Sequence, residues 1–139
     1  MEKMVRDVMT KSPVTMAVDA LVQDAARAMK DRNIGDVIVT QGDQVCGIVT
    51  DRDITVRAVA EGKDPRSTKL GDICSSDLIT LQPDQSVDEA VKLMRAKAIR
   101  RLPVMEGSKP VGILALGDLA TQQDEGSALA DISSAPPNS

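Results

Sequence analysis

The stretch GIVTDRD at residues 47–53 has a counterpart 65 positions further along the chain, GILALGD at residues 112–118. The same shift lays Val5–Thr55 over Leu70–Ala120 without a gap. Chance alignment would give only a few identities, so the chain consists of two copies of one unit. Identical residues meet along the whole overlap, among them Asp7 and Asp72, Thr15 and Thr80, Ala25 and Ala90, Met29 and Met94, and Gly47 and Gly112.

Each copy predicts the order β-α-β-β-α. A short helical lead-in precedes an extended segment, and a helix, two short strands and a second helix follow. Glycines supply the turn between the two strands. The lead-ins and extended segments are Val5–Met9, Pro13–Met16, Leu70–Cys74 and Leu78–Leu81. The predicted strand pairs are Val37–Val39 with Val45–Val49, and Leu102–Val104 with Val111–Leu114.

The helices are predicted from apolar spacing and from stop signals. Ser86 and Glu89 have capping-box spacing before the helix of the second copy, whereas Leu21 stands at that place in the first. The second helix runs from near Asp51 to Gly62 in the first copy, and a shorter one lies around Asp118–Gln123. Apolar residues at i, i+3, i+4 and i+7 are Val22, Ala25, Ala26 and Met29, and Val87, Ala90, Val91 and Met94.

These elements divide the chain into repeat 1 at residues 5–62, a linker at 63–69, repeat 2 at 70–123 and a tail at 124–139. The tail is rich in Ser, Ala, Asp and Pro, so we predict that it is disordered. Each repeat has a small sheet with a face to bury. The predicted fold class is α+β, with two βαββα repeats packed through their sheets in pseudo-two-fold symmetry.

Charge and hydropathy exclude several classes of protein. The net charge is −4, and the three acidic residues after position 120 leave −4 − (−3) = −1 for residues 1–120. A nearly neutral body argues against nucleic-acid binding. No run is long and apolar enough to cross a membrane. The N-terminus, MEKM, lacks the apolar stretch of a signal peptide, so we expect a cytoplasmic protein.

The sequence contains no Phe, Trp, Tyr or His. A bound ring must therefore lie between aliphatic side chains, and the commonest general base and metal ligand is missing. Cys46 and Cys74 stand opposite Val111 and Met9 in the repeat. Two cysteines without histidine make a poor zinc site, so we interpret both as small buried hydrophobic residues. No metal and no required cofactor are expected.

At residues 50–53 a predicted strand gives way to a predicted helix. Such a junction exposes backbone N–H groups, and it places the Thr50 hydroxyl near the Asp53 carboxylate. Asp53 can accept both hydrogens of a cis-diol, while Thr50 donates to a ligand or accepts from it. The same pair also suits plain N-capping, which the residue chemistry alone favours over ligand binding.

The repeated unit resembles the cystathionine-β-synthase (CBS) domain, and residues 5–122 resemble a stand-alone tandem CBS pair, or Bateman module. The first copy carries the resemblance in DVMT at residues 7–10, IGDVIV at 34–39 and GIVTDRD at 47–53. The second copy carries it in IRRLPV at 99–104 and GILALGD at 112–118. Residues 50–65 are also similar to small bacterial pairs of the hypoxia-response type.

The resemblance implies a regulatory adenosine-ligand-binding module. Family members bind adenosyl ligands such as AMP, ADP, ATP or S-adenosylmethionine in clefts, and a hydroxyl residue and an Asp hold the ribose. This assigns ribose binding to Thr50 and Asp53. Ala115 replaces the hydroxyl residue ahead of Asp118 in the second copy, so a weaker second site is expected there.

The resemblance also suggests residues that line the ligand pocket. Core packing is the better interpretation for most of the aliphatic candidates. Arg100 and Arg101 suit phosphate groups, although a solvated charged edge is equally compatible with them. The first copy has Asp36 there, which would repel phosphate. The candidates for the adenine pocket wall are Val14, Thr15, Met16, Ile38, Ile48, Ile79, Thr80 and Leu81.

The expected function is therefore that of an adenosyl-ligand sensor without enzymatic activity. It would form a homodimer and signal in trans to a separate target protein through ligand-dependent dimer geometry. The alternative is a ligand-free dimerisation or scaffold module. No nucleophile adjoins a base and no phosphate-binding GxxxxGK[ST] loop is present, which argues against an enzyme. Neither nucleic acid nor a membrane is expected as a partner.

Overall fold

The computed structural model describes residues 3–74 and 78–123, with side chains described up to residue 119. The tail that we predicted to be disordered, residues 124–139, lies outside the described residues. In chain order the elements are α1 (Val5–Val8), β1 (Thr10–Lys11), β2 (Thr15–Ala17), α2 (Val22–Arg32), β3 (Asp36–Gln41), β4 (Gln44–Thr50), α3 (Asp51–Asp53), a π-helical segment (Ile54–Val59), a 3₁₀ turn (Leu70–Asp72), α4 (Val87–Lys97), β5 (Arg101–Glu106), β6 (Lys109–Ala115) and α5 (Leu116–Gln123).

The chain forms two compact units that do not follow the sequence repeats. Unit 1 combines residues 3–13 with residues 79–123, and unit 2 contains residues 14–74 and 78. Each lead-in segment therefore belongs to the unit that contains the other repeat. The lead-in of the first repeat packs in unit 1, and that of the second repeat packs in unit 2.

Each unit contains a three-stranded sheet built on one of the predicted hairpins. The strand order is β1-β6-β5 in unit 1 and β2-β3-β4 in unit 2. The pairs β3–β4 and β5–β6 are antiparallel, as the sequence predicted. Gly42 and Gly107 occupy their turns with φ of 61° and 63°, a backbone conformation that glycine adopts without a steric penalty.

The apolar faces of α2 and α4 pack on the hairpins. In unit 2 the buried cluster joins the α2 face to Val37, Val39 and Val49, and in unit 1 the α4 face packs with three hairpin residues. Burial of each valine, leucine or methionine side chain in these clusters stabilises the fold by about 1.5–3 kcal/mol. Ala26 is an exception to the predicted helix face, because it is exposed. The buried residues of unit 1 include Val87, Ala90, Met94, Leu102, Val104 and Leu114.

The lead-in segments are integral to the cores of their units. Val5 is fully buried in unit 1, where β1 pairs with β6 through Thr10 opposite Ile113. Leu70 is fully buried in unit 2, where the Gly71 N–H donates to the Val18 carbonyl at 2.9 Å. Both segments thus add core side chains and backbone hydrogen bonds to a unit otherwise formed by distant sequence.

The linker at residues 63–69 caps α2. Leu21 has no side-chain acceptor for the first N–H groups of that helix, which need partners. Backbone carbonyls supply them instead: Val22 N–H donates to Thr68 at 2.9 Å, and Gln23 N–H donates to Pro65 at 2.9 Å. The linker is therefore part of the fold of unit 2.

The extended segment predicted at Leu78–Leu81 is reduced in the structure to one bridge between Leu81 and Val104. The reason lies in the neighbouring strand. In unit 2 the Ile38 N–H donates to the Val14 carbonyl at 2.9 Å, which supports β2. Pro103 stands at the position equivalent to Ile38 and has no N–H, so the corresponding hydrogen bond cannot form.

A candidate ligand site at the end of strand β4

Thr50 and Asp53 hold each other in a reciprocal capping box where β4 ends and α3 begins. The Asp53 N–H donates to Thr50 Oγ1 at 3.1 Å, and the Thr50 N–H donates to Asp53 Oδ2 at 2.9 Å. The N-capping role that the residue chemistry favoured for this pair is therefore present in the structure. The same box fixes a hydroxyl and a carboxylate side by side at the edge of the sheet.

The capping box leaves two polar groups of this pair for a further partner. Thr50 accepts one hydrogen bond in the box, and its hydroxyl proton can still be donated. The second oxygen of Asp53, Oδ1, lies 3.9 Å from Arg57 Nε, beyond the length of a good hydrogen bond. Capping and ligand binding are therefore compatible at this junction.

Arg57 connects the junction to the docked lead-in segment. Its Nη1 donates to the Ile73 carbonyl at 3.0 Å, while its Nε faces Asp53. The Arg57 side chain is 48% exposed, so its ion pair with Asp53 is largely screened by water. Arg57 therefore links the side chain of Asp53 to the backbone of Ile73, which directly follows the 3₁₀ turn.

One face of the sheet in unit 2 carries a row of candidate residues next to Thr50. Thr15 pairs with Ile38, and Ile38 pairs with Ile48, so the three lie side by side across β2, β3 and β4. Since residues two apart on a strand share a face, Thr50 lies on the same face as Ile48. Asp36 is directly opposite Thr50. The structure therefore brings four sequence candidates, Thr15, Ile38, Ile48 and Thr50, together within unit 2.

Other wall candidates pack into the hydrophobic cores. Val14 and Met16 pack against the core of unit 2, which favours the core interpretation for both. In unit 1, Leu81 is buried in the core and Ile79 packs against it. Thr80, by contrast, is exposed. Alternation along the short extended segments explains this division, because only every second side chain can face away from the helix.

The equivalent junction of unit 1 has the same backbone arrangement. The Ala115 N–H donates to Asp118 Oδ2 at 3.1 Å, as Thr50 does to Asp53. Ala115 returns no hydrogen bond. The Thr10 side chain, from β1, instead hydrogen-bonds to Asp118. The carboxyl group of Asp118 is thus hydrogen-bonded to a residue of β1, which belongs to the same unit.

Burial raises the pKa of the Asp118 carboxyl above its usual range. Hydrogen bonds from Ala115 and Thr10 and the charge of Arg101 oppose this effect and lower the pKa in part. Arg101 is half-buried on β5 opposite Ala115, whereas Arg100 precedes the strand and is exposed. Of the two arginines, Arg101 is therefore the one that lies near Asp118.

The repeats seen in the sequence and the fold match a known family. The model of the CBS domain matches residues 5–59 and again residues 70–124. The chain belongs to the CBS-domain family. CBS pairs are regulatory modules, and the comparisons indicate no catalytic family for this one.

Similar CBS proteins include small bacterial ones. The pair is 39% identical over 133 residues to the CBS domain-containing protein YhcV of Bacillus subtilis, covering 93% of this chain and 94% of YhcV. It is 28% identical over 121 residues to hypoxic response protein 1 of Mycobacterium tuberculosis, covering 86% and 85% of the two chains. The resemblance to small bacterial pairs of the hypoxia-response type is thereby confirmed.

A solved CBS pair shows the same fold. The CBS domain pair of protein MJ0100, in complex with 5′-methylthioadenosine and S-adenosyl-L-methionine, superposes with a TM-score of 0.78. The match covers 88% of this chain and 96% of that one at 24% identity. Identity at this level supports the fold alone. The predicted fold class, α+β with two CBS repeats, is confirmed.

Two contacts at the junctions of this CBS pair were not anticipated from its sequence. Arg57 stands four residues after Asp53 on a helix, and this acid–base spacing is a signal that could have identified it. Thr10 gives no such local signal, because its partner Asp118 lies 108 positions away (118 − 10 = 108). Only the docking of β1 on β6 brings the two together.

The part of the chain that the structure describes contains neither a candidate metal site nor a candidate membrane span. Within residues 3–74 and 78–123, no group of three or more Cys, Asp or Glu side chains is arranged to hold a metal ion. No helix in the same part of the chain has the length and apolar character needed to span a membrane.

Proposed function

We propose that this CBS pair is a regulatory module that binds an adenosyl ligand through Thr50 and Asp53 and signals in trans to a target protein. The observation that carries the proposal is the reciprocal capping box between these residues. It holds a hydroxyl group and a carboxylate in fixed positions before any ligand arrives. Such preorganisation lowers the entropy lost on binding.

The chemistry of the pair suits a ribose. A cis-diol presents two O–H donors, and Asp53 Oδ1 is an acceptor that the box does not use. The Thr50 hydroxyl is a donor for a ligand oxygen. Hydrogen bonds to a charged acceptor are the stronger kind, so Asp53 is expected to dominate the interaction.

The neighbouring sheet face suits an adenine ring. Ile48 is partly exposed on the face that also carries Thr50, whereas its paired neighbour Ile38 on this face is fully buried. Aliphatic side chains can sandwich a flat ring where a sequence has no aromatic residue. Thr15, next to Ile38, is exposed and adds a hydroxyl at the edge of this row.

We further propose that the output passes through a homodimer. Val56 and Val59 lie on the π-helical segment and are 45% and 63% exposed, and Leu116 at the start of α5 is 51% exposed. These exposed side chains would be covered by a second copy of the chain. A ligand can then shift the geometry of the dimer only by its difference in affinity for the two geometries.

Thermal unfolding followed by circular dichroism tests the ligand proposal, since the chain has no aromatic fluorophore. AMP, ATP and S-adenosylmethionine are added separately at increasing concentration. A ligand present at about 100 times its dissociation constant stabilises the fold by about 2.7 kcal/mol. If none of the three raises the midpoint at millimolar concentration, the ligand-free scaffold becomes the better interpretation.

Two substitutions at one position separate capping from binding. Asp53→Ala removes both the cap and the acceptor, so it lowers the stability of the free protein by about 1 kcal/mol and abolishes the ligand response. Asp53→Asn keeps one oxygen for the Thr50 N–H but turns an amide donor toward the ligand. It should retain most of the stability and lose the response. A full response in Asp53→Asn would contradict the ribose assignment.

A further inference from the structure

The two cysteines of the chain lie in the same unit and at the same core. Cys46 and Cys74 both pack against the hydrophobic cluster of unit 2, and both remain partly exposed. They are therefore not the fully buried residues expected from the sequence. Each is a thiol with hydrophobic neighbours on one side and access to solvent on the other.

Cys46 occupies an irregular position on β4. Gly47 pairs with Val39 and Val45 pairs with Thr40, so the register shifts between them. Cys46 is the extra residue of this β-bulge and has no counterpart on β3. A bulge redirects the side chain of the extra residue relative to a regular strand.

The repeat shows where Cys74 lies relative to β4. Its equivalent in unit 1 is Met9, and a β-carbon built on Gly112 would stand 2.6 Å from the Met9 sulfur. The lead-in side chain therefore lies directly against that glycine of β6. Gly47 is the equivalent glycine in unit 2, so the repeat predicts that Cys74 lies against β4 at the residue next to Cys46.

Electrostatics within unit 2 agree with this placement. Burial raises the pKa of the Cys74 thiol, and the neighbouring Cys46 raises it further. Asp53 also raises this pKa, whereas Arg57 lowers it. Cys74 is therefore within electrostatic reach of the other cysteine and of the candidate ligand junction.

We propose that Cys46 and Cys74 form a redox-active dithiol site that reacts with low-molecular-weight disulfides such as oxidised glutathione. One thiolate attacks the small disulfide, forms a mixed disulfide and releases one small thiol. The second cysteine then attacks the mixed disulfide and releases the other small thiol. The two protein thiols are oxidised to one intramolecular disulfide, and the small disulfide is reduced to two thiols that take up the protons.

The disulfide would fix the lead-in segment Leu70–Cys74 to β4. Cys74 directly follows Ile73, whose carbonyl accepts the hydrogen bond from Arg57, and Arg57 faces Asp53. Oxidation thus acts on the segment that positions Arg57. An effect on ligand affinity rests on the proposed function, whereas formation of the disulfide does not depend on it.

Mass spectrometry of the intact protein tests the site. Reduced protein is equilibrated with mixtures of reduced and oxidised glutathione, and free thiols are then alkylated in denaturant. The expected product has lost two hydrogens, carries no alkyl group or glutathione, and yields a peptide that joins Cys46 to Cys74. Glutathione adducts, disulfide-linked dimers or two unreacted thiols as the only products would overturn the proposal.

A second measurement shows whether the fold itself holds the thiols together. The same equilibrium is measured in concentrated urea, where the two cysteines are 28 positions apart on an unfolded chain (74 − 46 = 28). A native pair forms the disulfide at a lower ratio of oxidised to reduced glutathione than the unfolded chain does. The oxidised protein should then melt on the order of 5–10 °C higher. Equal equilibria in the two conditions would overturn the proposal.

Unit 1 supplies matched controls. Cys46→Val and Cys74→Met introduce the residues that stand at the equivalent positions, Val111 and Met9, where they already pack in this fold. Each variant should fold and show no oxidation-dependent melting shift. The ligand titration is then repeated on reduced and oxidised wild-type protein. A response in the reduced protein shows that the ligand site exists, independently of the outcome at the thiols.

Discussion

The junction of β4 with α3 and the junction of β6 with α5 have the same backbone and different chemistry. In both, the last strand residue donates its N–H to an aspartate three positions later, at 2.9 Å for Thr50 and 3.1 Å for Ala115. Thr50 completes a reciprocal box with Asp53, whereas Ala115 cannot. The backbone arrangement therefore does not require the hydroxyl.

The two acids also have different neighbours. Asp53 faces Arg57 from its own helix, and Asp118 is hydrogen-bonded by Thr10 from the lead-in strand. On β3 and β5, the residues opposite the junctions are Asp36 and Arg101, so the charge at that position is reversed. The comparison shows that a duplicated scaffold can retain its fold while one copy changes the groups available to a ligand.

The largest expected effect tests the scaffold on which both junctions depend. Leu70→Ala removes a fully buried side chain of the lead-in docked in unit 2, and it should lower the free energy of unfolding by about 2–5 kcal/mol. Val5→Ala is the equivalent change in unit 1 and should cost less, because fewer atoms are removed. Urea unfolding followed by circular dichroism measures both.

Lys69→Ala is the matched control, because Lys69 is exposed immediately before Leu70. It should change the free energy of unfolding by no more than about 0.5 kcal/mol. If Leu70→Ala lowered the free energy of unfolding by less than about 1 kcal/mol, the lead-in would contribute little to the stability of unit 2. This result would contradict the equivalent structural role of the lead-ins in the two units.

An intermediate effect is expected when the caps are exchanged. Thr50→Val removes the hydroxyl that accepts from Asp53, so it should destabilise the protein by about 1 kcal/mol. Ala115→Thr supplies the missing hydroxyl acceptor for the Asp118 N–H. It should stabilise the protein by up to about the same amount. Ala115→Val is the control, since it adds the same bulk without the hydroxyl. Equal melting of Ala115→Thr and Ala115→Val would show that the second junction cannot form the box.

The smallest effect concerns the dependence of stability on pH in unit 1. Since burial raises the pKa of Asp118, the carboxyl is protonated in both folded and unfolded chains at pH below its unfolded value, near 3.8. As the pH rises from this value to the folded pKa, the unfolded chain loses the proton more readily than the folded protein does, so stability is lost; above the folded pKa both are ionised and the loss is complete. Asp118→Asn removes this titration. Its stability relative to wild type should therefore increase from acid to neutral pH and then level off.

Urea unfolding at acid and neutral pH measures this difference. Glu106→Gln is a suitable control, since it removes a carboxylate at the exposed end of β5 in the same unit. A difference between Asp118→Asn and wild type that does not vary with pH would contradict the raised pKa.

The sequence predicted local structure well because local signals determine it. The glycine turns, the apolar face of α4 and the cap at Ser86, which accepts from the Glu89 N–H at 3.1 Å, all depend on residues within a few positions. The docking of the lead-ins was not predicted. Pairing of Thr10 with Ile113 joins residues 103 positions apart (113 − 10 = 103), and hydrophobic periodicity carries no information about such a partner.

The candidate site was predictable to a similar extent. The hydroxyl–acid spacing indicated that Thr50 and Asp53 would meet, and it also indicated the cap that the structure contains. Among the wall candidates, Ile38 and Ile48 lie on the face with Thr50, while Val14 and Met16 pack in the core. The sequence alone could not show which of these residues enter the core. Alternation along a strand indicates which side chains share a face, but it does not indicate which face a helix covers.

The exchange of lead-in segments has a consequence for synthesis on the ribosome. Proteins emerge from the N-terminus, and residues 14–74 of unit 2 can assemble while the rest of the chain is still being translated. Residues 3–13 leave the exit tunnel before unit 2, whereas their partner strand β6 is made after unit 2. During that interval the side chains of Val5 and Val8 remain exposed to solvent, because the residues of repeat 2 that complete their core have not yet been made.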